Sequence, residues 1–317
     1  MLSRVAGNIY WLGRYLERAE DMARLINVNA NLALDLPKGL SPIWGQLLAI
    51  TGASDDFPED VGERQVLRYL ISDSGSNTVS IIASLAYARE NARTIRDVIP
   101  RESWETLNSV YLQAKDRSQQ ALTKRGRYPF LQSVITECQK IAGILSGTMN
   151  HDDGYTFLKL GRSLERGDMT SRIIDIRSEN LIPDATTNRT TFENLQWMSV
   201  LRSLTGYQMY RREMQVSIKR EDVLRFLIQS PKFPRAIARC LYELSFSLET
   251  LPNHKSVEEI VKRIEKQLKK MDYKRLEQGE LQNAMDMLQI GFAQIHNELS
   301  LTYFGVDAAE EQKQRVA

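Results

Sequence analysis

One heptapeptide of this 317-residue chain recurs with a single change. Leu12-Gly13-Arg14-Tyr15-Leu16-Glu17-Arg18 returns 148 residues later as Leu160-Gly161-Arg162-Ser163-Leu164-Glu165-Arg166. The likeness runs on: Arg24 corresponds to Arg172, Ile26 to Ile174 and Glu20 to Asp168, so that eight of the fifteen positions in 12–26 are identical. Surface charges are normally interchangeable, and folding alone does not require the same ones twice. A repeated set of charges therefore points to one particular polar arrangement.

Helical geometry narrows what that arrangement is. At about 100° per residue, Arg14, Glu17, Arg18, Asp21 and Arg24 share one arc of about 120°, opposite Leu12, Tyr15, Leu16, Ala19, Met22, Ala23 and Ile26. Alone, this is an amphipathic helix with its charges in water. In the second copy, however, Leu158, Met169 and Ile173 share the arc of Arg162, Glu165, Arg166 and Arg172. Apolar residues on both sides predict a largely buried helix, whose charges are paired or face a polar cavity. Small residues at matching places, Ala19 with Gly167 and Ala23 with Ser171, would let another helix approach closely. Two readings stand here: a buried ion-pair network, and ordinary solvated faces.

Apolar residues recur with the 3.6-residue period nearly throughout, and alternating segments are scarce. Helices are expected over 3–35, 41–51, 61–72, 77–98, 102–123, 127–149, 153–179, 191–213, 220–229, 234–249, 255–271 and 276–304. Pro37 and Gly39 end the first, Gly52 to Gly62 forms an acidic loop, and Pro100 stops the fourth. Asn150, Asp152 and Asp153 supply a capping entry to the second signature helix. Asn180 to Thr191 reads as a longer loop, and the tail after Gly305 is polar. Ala88-Arg89 matches Ala238-Arg239, and Leu131-Gln132 matches Leu281-Gln282, both at a spacing of 150. The near-common offset predicts an all-α, bundle-like globule of two divergent pseudo-repeats, 1–150 and 151–306, packed together and followed by a polar tail, 307–317.

Bulk properties exclude more than they identify. Forty-two basic against forty acidic side chains give a net charge of +2, with no general attraction to nucleic acid or anionic membranes. The basic run Lys262, Arg263, Lys266, Lys269 and Lys270 is interrupted by acids and reads as a solvated face. Cys138 and Cys240 form neither a disulfide framework nor a metal signature, and read as core residues in a reducing compartment. No run of 18 apolar residues exists, and no secretory signal pattern opens the chain, so a cytoplasmic protein is expected.

No catalytic constellation is visible. His151, His254 and His296 are isolated from one another, and no metal or cofactor is expected. Gly75-Ser76-Asn77-Thr78 lacks the lysine and spacing of a phosphate loop, and there is no serine elbow. Arg89, Arg93 and Arg96 share one helical stripe beside Glu90 and Asn91. Such forks bind carboxylates or phosphates in bidentate fashion, or bridge helices through Glu17, Glu165 or Glu90. A structural bridge is the favoured expectation, and a cavity for an anionic or peptide ligand is the other. Arginines beside Glu17 or Glu165 would keep those carboxylates ionised, which suits binding better than proton donation. Tyr207, Tyr210, Arg211 and Arg212 have the composition of an interface. Trp11, Trp44, Trp104 and Trp197 read as core.

Four stretches resemble the alpha-E family, a bacterial all-helical domain with a recurring Glu-Arg motif. They are Leu12 to Ile26; Ala88 to Asp97 followed by Trp104 and Asn108; Phe157 to Arg177; and Phe226-Leu227 through Phe233-Pro234-Arg235. Each is weak alone, and four in order are fairly specific. The resemblance adds Arg235 to the candidate polar residues and implies no established activity. It implies companionship with ATP-grasp-type ligases and transglutaminase-like proteins in systems that make or modify peptides. The expectation is therefore an accessory, non-catalytic subunit, and the alternative is an enzyme using the Glu-Arg cluster for amide or acyl chemistry.

Overall fold

Every regular element described is helical, as the periodicity predicts. The computed structural model describes residues 2–35, 44–58, 60–72, 77, 79–178, 189–214, 217–272 and 276–305. Along them run α1 (Ser3–Asp35), α2 (Gly45–Thr51), α3 (Glu63–Ile71), α4 (Ile81–Thr94), α5 (Arg101–Ala121), α6 (Lys124–Thr148) and α7 (Asp153–Ser178). There follow α8 (Arg189–Ser203), α9 (Tyr207–Met214), α10 (Arg220–Gln229), α11 (Ile237–Leu248), α12 (Lys255–Lys270) and α13 (Gln278–Leu299). The helix break at Pro37 and Gly39, most of the loop from Asn180, the Gly75–Thr78 segment save Asn77, and the tail from 306 lie outside the described residues.

The boundaries follow local chemistry. Asp152 caps α7, its Oδ1 accepting from the amides of Gly154 at 2.8 Å and Tyr155 at 3.3 Å. Ser80 caps α4 through the Ala83 amide at 3.1 Å, and Thr123 caps α6 through Gly126 at 3.1 Å. The expected helix 191–213 is instead two, α8 and α9. Thr205 takes a left-handed conformation (φ 56°), and the amides of Thr205 and Gly206 return to the carbonyls of Arg202 and Leu201. This double closure ends α8 although the apolar pattern runs on. A Cβ on Gly206 would stand 3.1 Å from Phe233, so the break also admits that ring.

α1 and α7 form the centre. α1 packs against α7, α4 and α6, with α5 joining α4 to α6; α7 packs against α11 and α13, with α12 joining α11 to α13. Burial encloses both central helices: Ile9, Leu12, Tyr15, Ala19, Met22 and Ile26 on α1, and Leu160, Leu164, Ile173 and Ile174 on α7. The charged arc of α1 is not in water. Arg14, Glu17 and Asp21 are buried and Arg18 and Arg24 partly so, which favours the buried network over solvated faces. By contrast α12 buries Val257, Val261, Ile264 and Leu268 and leaves its lysines exposed, the solvated face expected. Among the described residues no helix is long and apolar enough to cross a membrane.

Candidate functional site: a reciprocal Glu-Arg clasp

The two heptapeptides meet side by side on parallel helices. At the crossing, a Cβ on Gly161 would fall onto the Tyr10 carbonyl oxygen, and one on Gly13 would stand 2.6 Å from the Leu158 carbonyl. Only glycine lets the two backbones approach this closely, and each copy of the motif supplies one. Gly167 admits the Phe292 ring of α13, giving one of the small positions a large neighbour.

This closeness brings each glutamate under the arginines of the other helix. Glu165 accepts from Arg14 Nε at 2.7 Å and from Arg18 through Nε at 2.6 Å and Nη2 at 3.1 Å. Glu17 accepts from Arg166 Nε at 2.8 Å and Arg162 Nε at 3.4 Å. The exchange is reciprocal: each Glu is held by the two arginines of the opposite heptapeptide. Outside this centre Arg24 pairs with Glu20 at 2.6 Å and Arg172 with Asp168 at 3.0 Å, again at matching places.

Arg235 breaks the symmetry. Entering from the turn before α11, it meets Glu17 at 2.6 Å, Glu20 at 3.3 Å and Asp21 at 2.5 Å. At the 148-residue offset Asp21 stands opposite Met169, so the second copy lacks the third carboxylate that Arg235 meets in the first. Seven arginines (14, 18, 24, 162, 166, 172, 235) thus share five carboxylates (17, 20, 21, 165, 168).

Electrostatics follows from this geometry. Burial opposes ionisation of Glu165, but Arg18 and Arg14 outweigh it and hold its pKa at about 2. Burial is likewise outweighed at Glu17 by Arg166, Arg235 and Arg162, leaving it well below the usual carboxylate range. Asp21 differs. Burial pushes it up to about 7, Glu17 and Glu20 adding to the rise against Arg235, and its Oδ2 has no partner. Arg162 is loosely held: its pair with Glu17 is 3.4 Å long, 23% of its side chain is exposed, and burial and the Arg166 charge lower its pKa.

Aromatic rings close the Arg14 end. Its guanidinium lies 4.9 Å from the Trp11 ring centre, and Arg18 lies 5.5 Å from that of Tyr15. Tyr10 Oη sits 2.9 Å from His296 Nδ1, and burial followed by the Arg14 charge lowers the His296 pKa to about 3. No local signal places His296 here, 286 residues from its partner.

The arginines of α4, and Arg96 in the turn that follows it, stay apart from this clasp. Arg89 Nε donates to Asn108 at 2.7 Å and lies near Trp104 and Tyr111, joining α4 to α5. Arg96 lies against Trp104, while Arg93 forms a half-exposed pair with Glu90 at 2.6 Å. Asn91 is buried on α4. The expected bridge from Arg89 or Arg93 to Glu17 or Glu165 is therefore not made, because α5 and solvent, not α7, face that stripe. Tyr210 is fully buried and donates to the Ser217 carbonyl, so it belongs to the core instead of an interface. Trp104 is the one tryptophan only partly buried. Among the described residues no group of three or more His, Cys, Asp or Glu is arranged to hold a metal ion.

A duplicated Glu-Arg dipeptide at the heart of an all-helical fold agrees with the family model that residues 1–304 match: Alpha-E, described as a predicted alpha-helical domain with a conserved ER motif. The chain belongs to the Alpha-E family. Of the three Glu-Arg dipeptides in the chain, Glu17-Arg18 and Glu165-Arg166 lie in the repeated heptapeptide, and Glu63-Arg64 does not. It is also similar to an uncharacterized protein of Mycobacterium bovis and to uncharacterized proteins of two Mycobacterium tuberculosis strains. Each is 22% identical over 269 residues, covering 78% of this chain and 30% of the relative. The chain therefore spans about a third of the length of these curated relatives. No solved structure matches.

Proposed function

We propose that this Alpha-E chain is an accessory, non-catalytic subunit of a bacterial peptide-forming or peptide-modifying system, working beside an ATP-grasp-type ligase or a transglutaminase-like protein. The reading rests above all on the reciprocal clasp. Glu17 and Glu165 are each held ionised by arginines of the opposite helix, so neither is placed to donate a proton. The signature then fastens two halves together and gives the fold a rigid frame for a partner. The mycobacterial relatives favour such a module, since most of their length lies outside the matched region.

The same reading takes the fold as a duplication of 1–150 and 151–306. In its support, α1, α4, α5 and α6 pack among themselves in the order of α7, α11, α12 and α13. The excess of arginine over carboxylate, with Arg162 loosely held, favours an anionic or peptide ligand over a cationic one.

Asp21 favours a second reading, in which the cluster performs amide or acyl chemistry. A carboxyl titrating near 7 with one unpartnered oxygen is suited to move a proton. Co-purification with an ATP-grasp-type ligase of the same genome, with and without ATP-dependent product measured, separates the two. Complex formation with a change in ligase output supports the accessory role; no complex and no effect defeats it. Turnover by the isolated chain, lost in a folded Asp21→Asn or Glu165→Gln variant, establishes the enzyme.

A further inference from the structure

Arg177, near the end of α7, is a guanidinium with no carboxylate. It is 1% exposed, and it forms no ion pair among the described residues. Its Nη2 donates to Asn29 Oδ1 at 2.8 Å and its Nη1 to Gln46 Oε1 at 3.4 Å, both neutral amides. Its Nε donor has no partner. Asn29, fully buried on α1, likewise leaves its Nδ2 donor without one. Gln196 of α8 donates to the Arg177 backbone carbonyl and so closes another side.

Two orphaned donors on adjoining side chains therefore accompany one uncompensated buried charge. A guanidinium presents Nε–H and one Nη–H along the same edge, the edge that grips planar or spherical anions. Here Asn29 accepts from Nη2, and Nε is unpartnered. A neutral molecule could accept these hydrogen bonds, but only an anion would also balance the charge. The lowered Arg177 pKa, about 10 from burial alone, agrees with a cation that no charged side chain supports.

We propose that Arg177 and Asn29 hold a small monovalent anion, of halide or carboxylate size, at the junction of α1, α2, α7 and α8. The site is separate from the Glu-Arg clasp and independent of the function proposed above. Its occupant would tie α7 to α1 beyond the last clasp pair, where the two helices place Asn29 and Arg177 at the same 148-residue offset.

The test is thermal unfolding of the full chain at constant ionic strength, replacing gluconate, a bulky anion, by chloride or by formate. The wild type should gain about 2–4 °C in Tm. A gain with both salts indicates a site open to halides, and a gain with formate alone indicates one that requires a carboxylate. Asn29→Asp supplies the negative charge internally, so it should lose the salt response while remaining folded. Arg177→Met should lose it as well. A wild type indifferent to all three salts overturns the proposal, as does an Asn29→Asp variant that responds as the wild type does.

Discussion

Gly161→Ala is the smallest change that tests the crossing of α1 and α7. In an exposed helix interior, replacing Gly by Ala stabilises by about 1 kcal/mol, because the unfolded chain loses freedom. Gly143 and Gly147 on α6 offer that background: both are exposed, and nothing lies within 4 Å of where a Cβ would be. At Gly161 the new methyl falls onto the Tyr10 carbonyl, and the Arg14 amide lies only 3.4 Å away. Backbone cannot swing aside as a side chain can, so the helices must separate. Overpacking of this kind costs about 1–3 kcal/mol. Separation also lengthens the 2.6–2.8 Å pairs that Glu165 makes one turn farther on. The propensity gain is outweighed, and a net loss of about 2 kcal/mol is expected in urea unfolding, against a gain of up to about 1 kcal/mol for Gly143→Ala. If Gly161→Ala were stabilised to the same degree as Gly143→Ala, the close crossing would be refuted.

Glu165→Ala leaves Arg14 and Arg18 buried without a carboxylate and should cost about 3–5 kcal/mol, whereas Arg101→Ala, in an exposed pair with Glu105, should cost under about 1 kcal/mol. Equal small losses in the two variants would mean the clasp contributes no more than a surface pair. Stability should fall with acid: the depressed pKa values of Glu17 and Glu165 give a contribution complete above the ordinary 4.5 and lost as pH falls through the folded values. His296, lowered from 6.5 to about 3, adds loss below about pH 6.5, while Asp21, raised from 3.8 to about 7, acts oppositely and loses its contribution as pH rises through 7. A Tm profile flat from pH 6 to pH 3, or unchanged at its acid end in Glu165→Gln, would contradict these assignments.

The all-helical class and most boundaries are legible in the sequence because apolar spacing and capping residues are local signals. The pairing of the signature helices is legible for a different reason: apolar residues on both arcs of the second copy leave its charges nowhere to go but toward partners. Which partners those are is not local. Neither the stripe that holds Arg89 nor the proline turn that holds Arg235 shows where each reaches: one turns to Asn108 on the adjacent helix and the other reaches Asp21 across 214 residues. Gly13 and Gly161 carried a readable clue, since a glycine repeated inside two helices is costly unless another backbone presses on it. The split at Thr205 was hidden because a left-handed threonine leaves no mark in an apolar pattern. Arg177 and Asn29 gave no signal beyond their shared offset.

A double-mutant cycle between Arg18 and Glu165 tests the reciprocal clasp most directly. Arg18→Met, Glu165→Gln and the double variant are compared with the wild type by urea unfolding, alongside a cycle for Arg18 and Glu17, neighbours in sequence that do not pair. A coupling of about 1.5–3 kcal/mol across the helices, and under about 0.5 kcal/mol within α1, is expected. A cross-helix coupling no larger than the within-helix one would contradict the account.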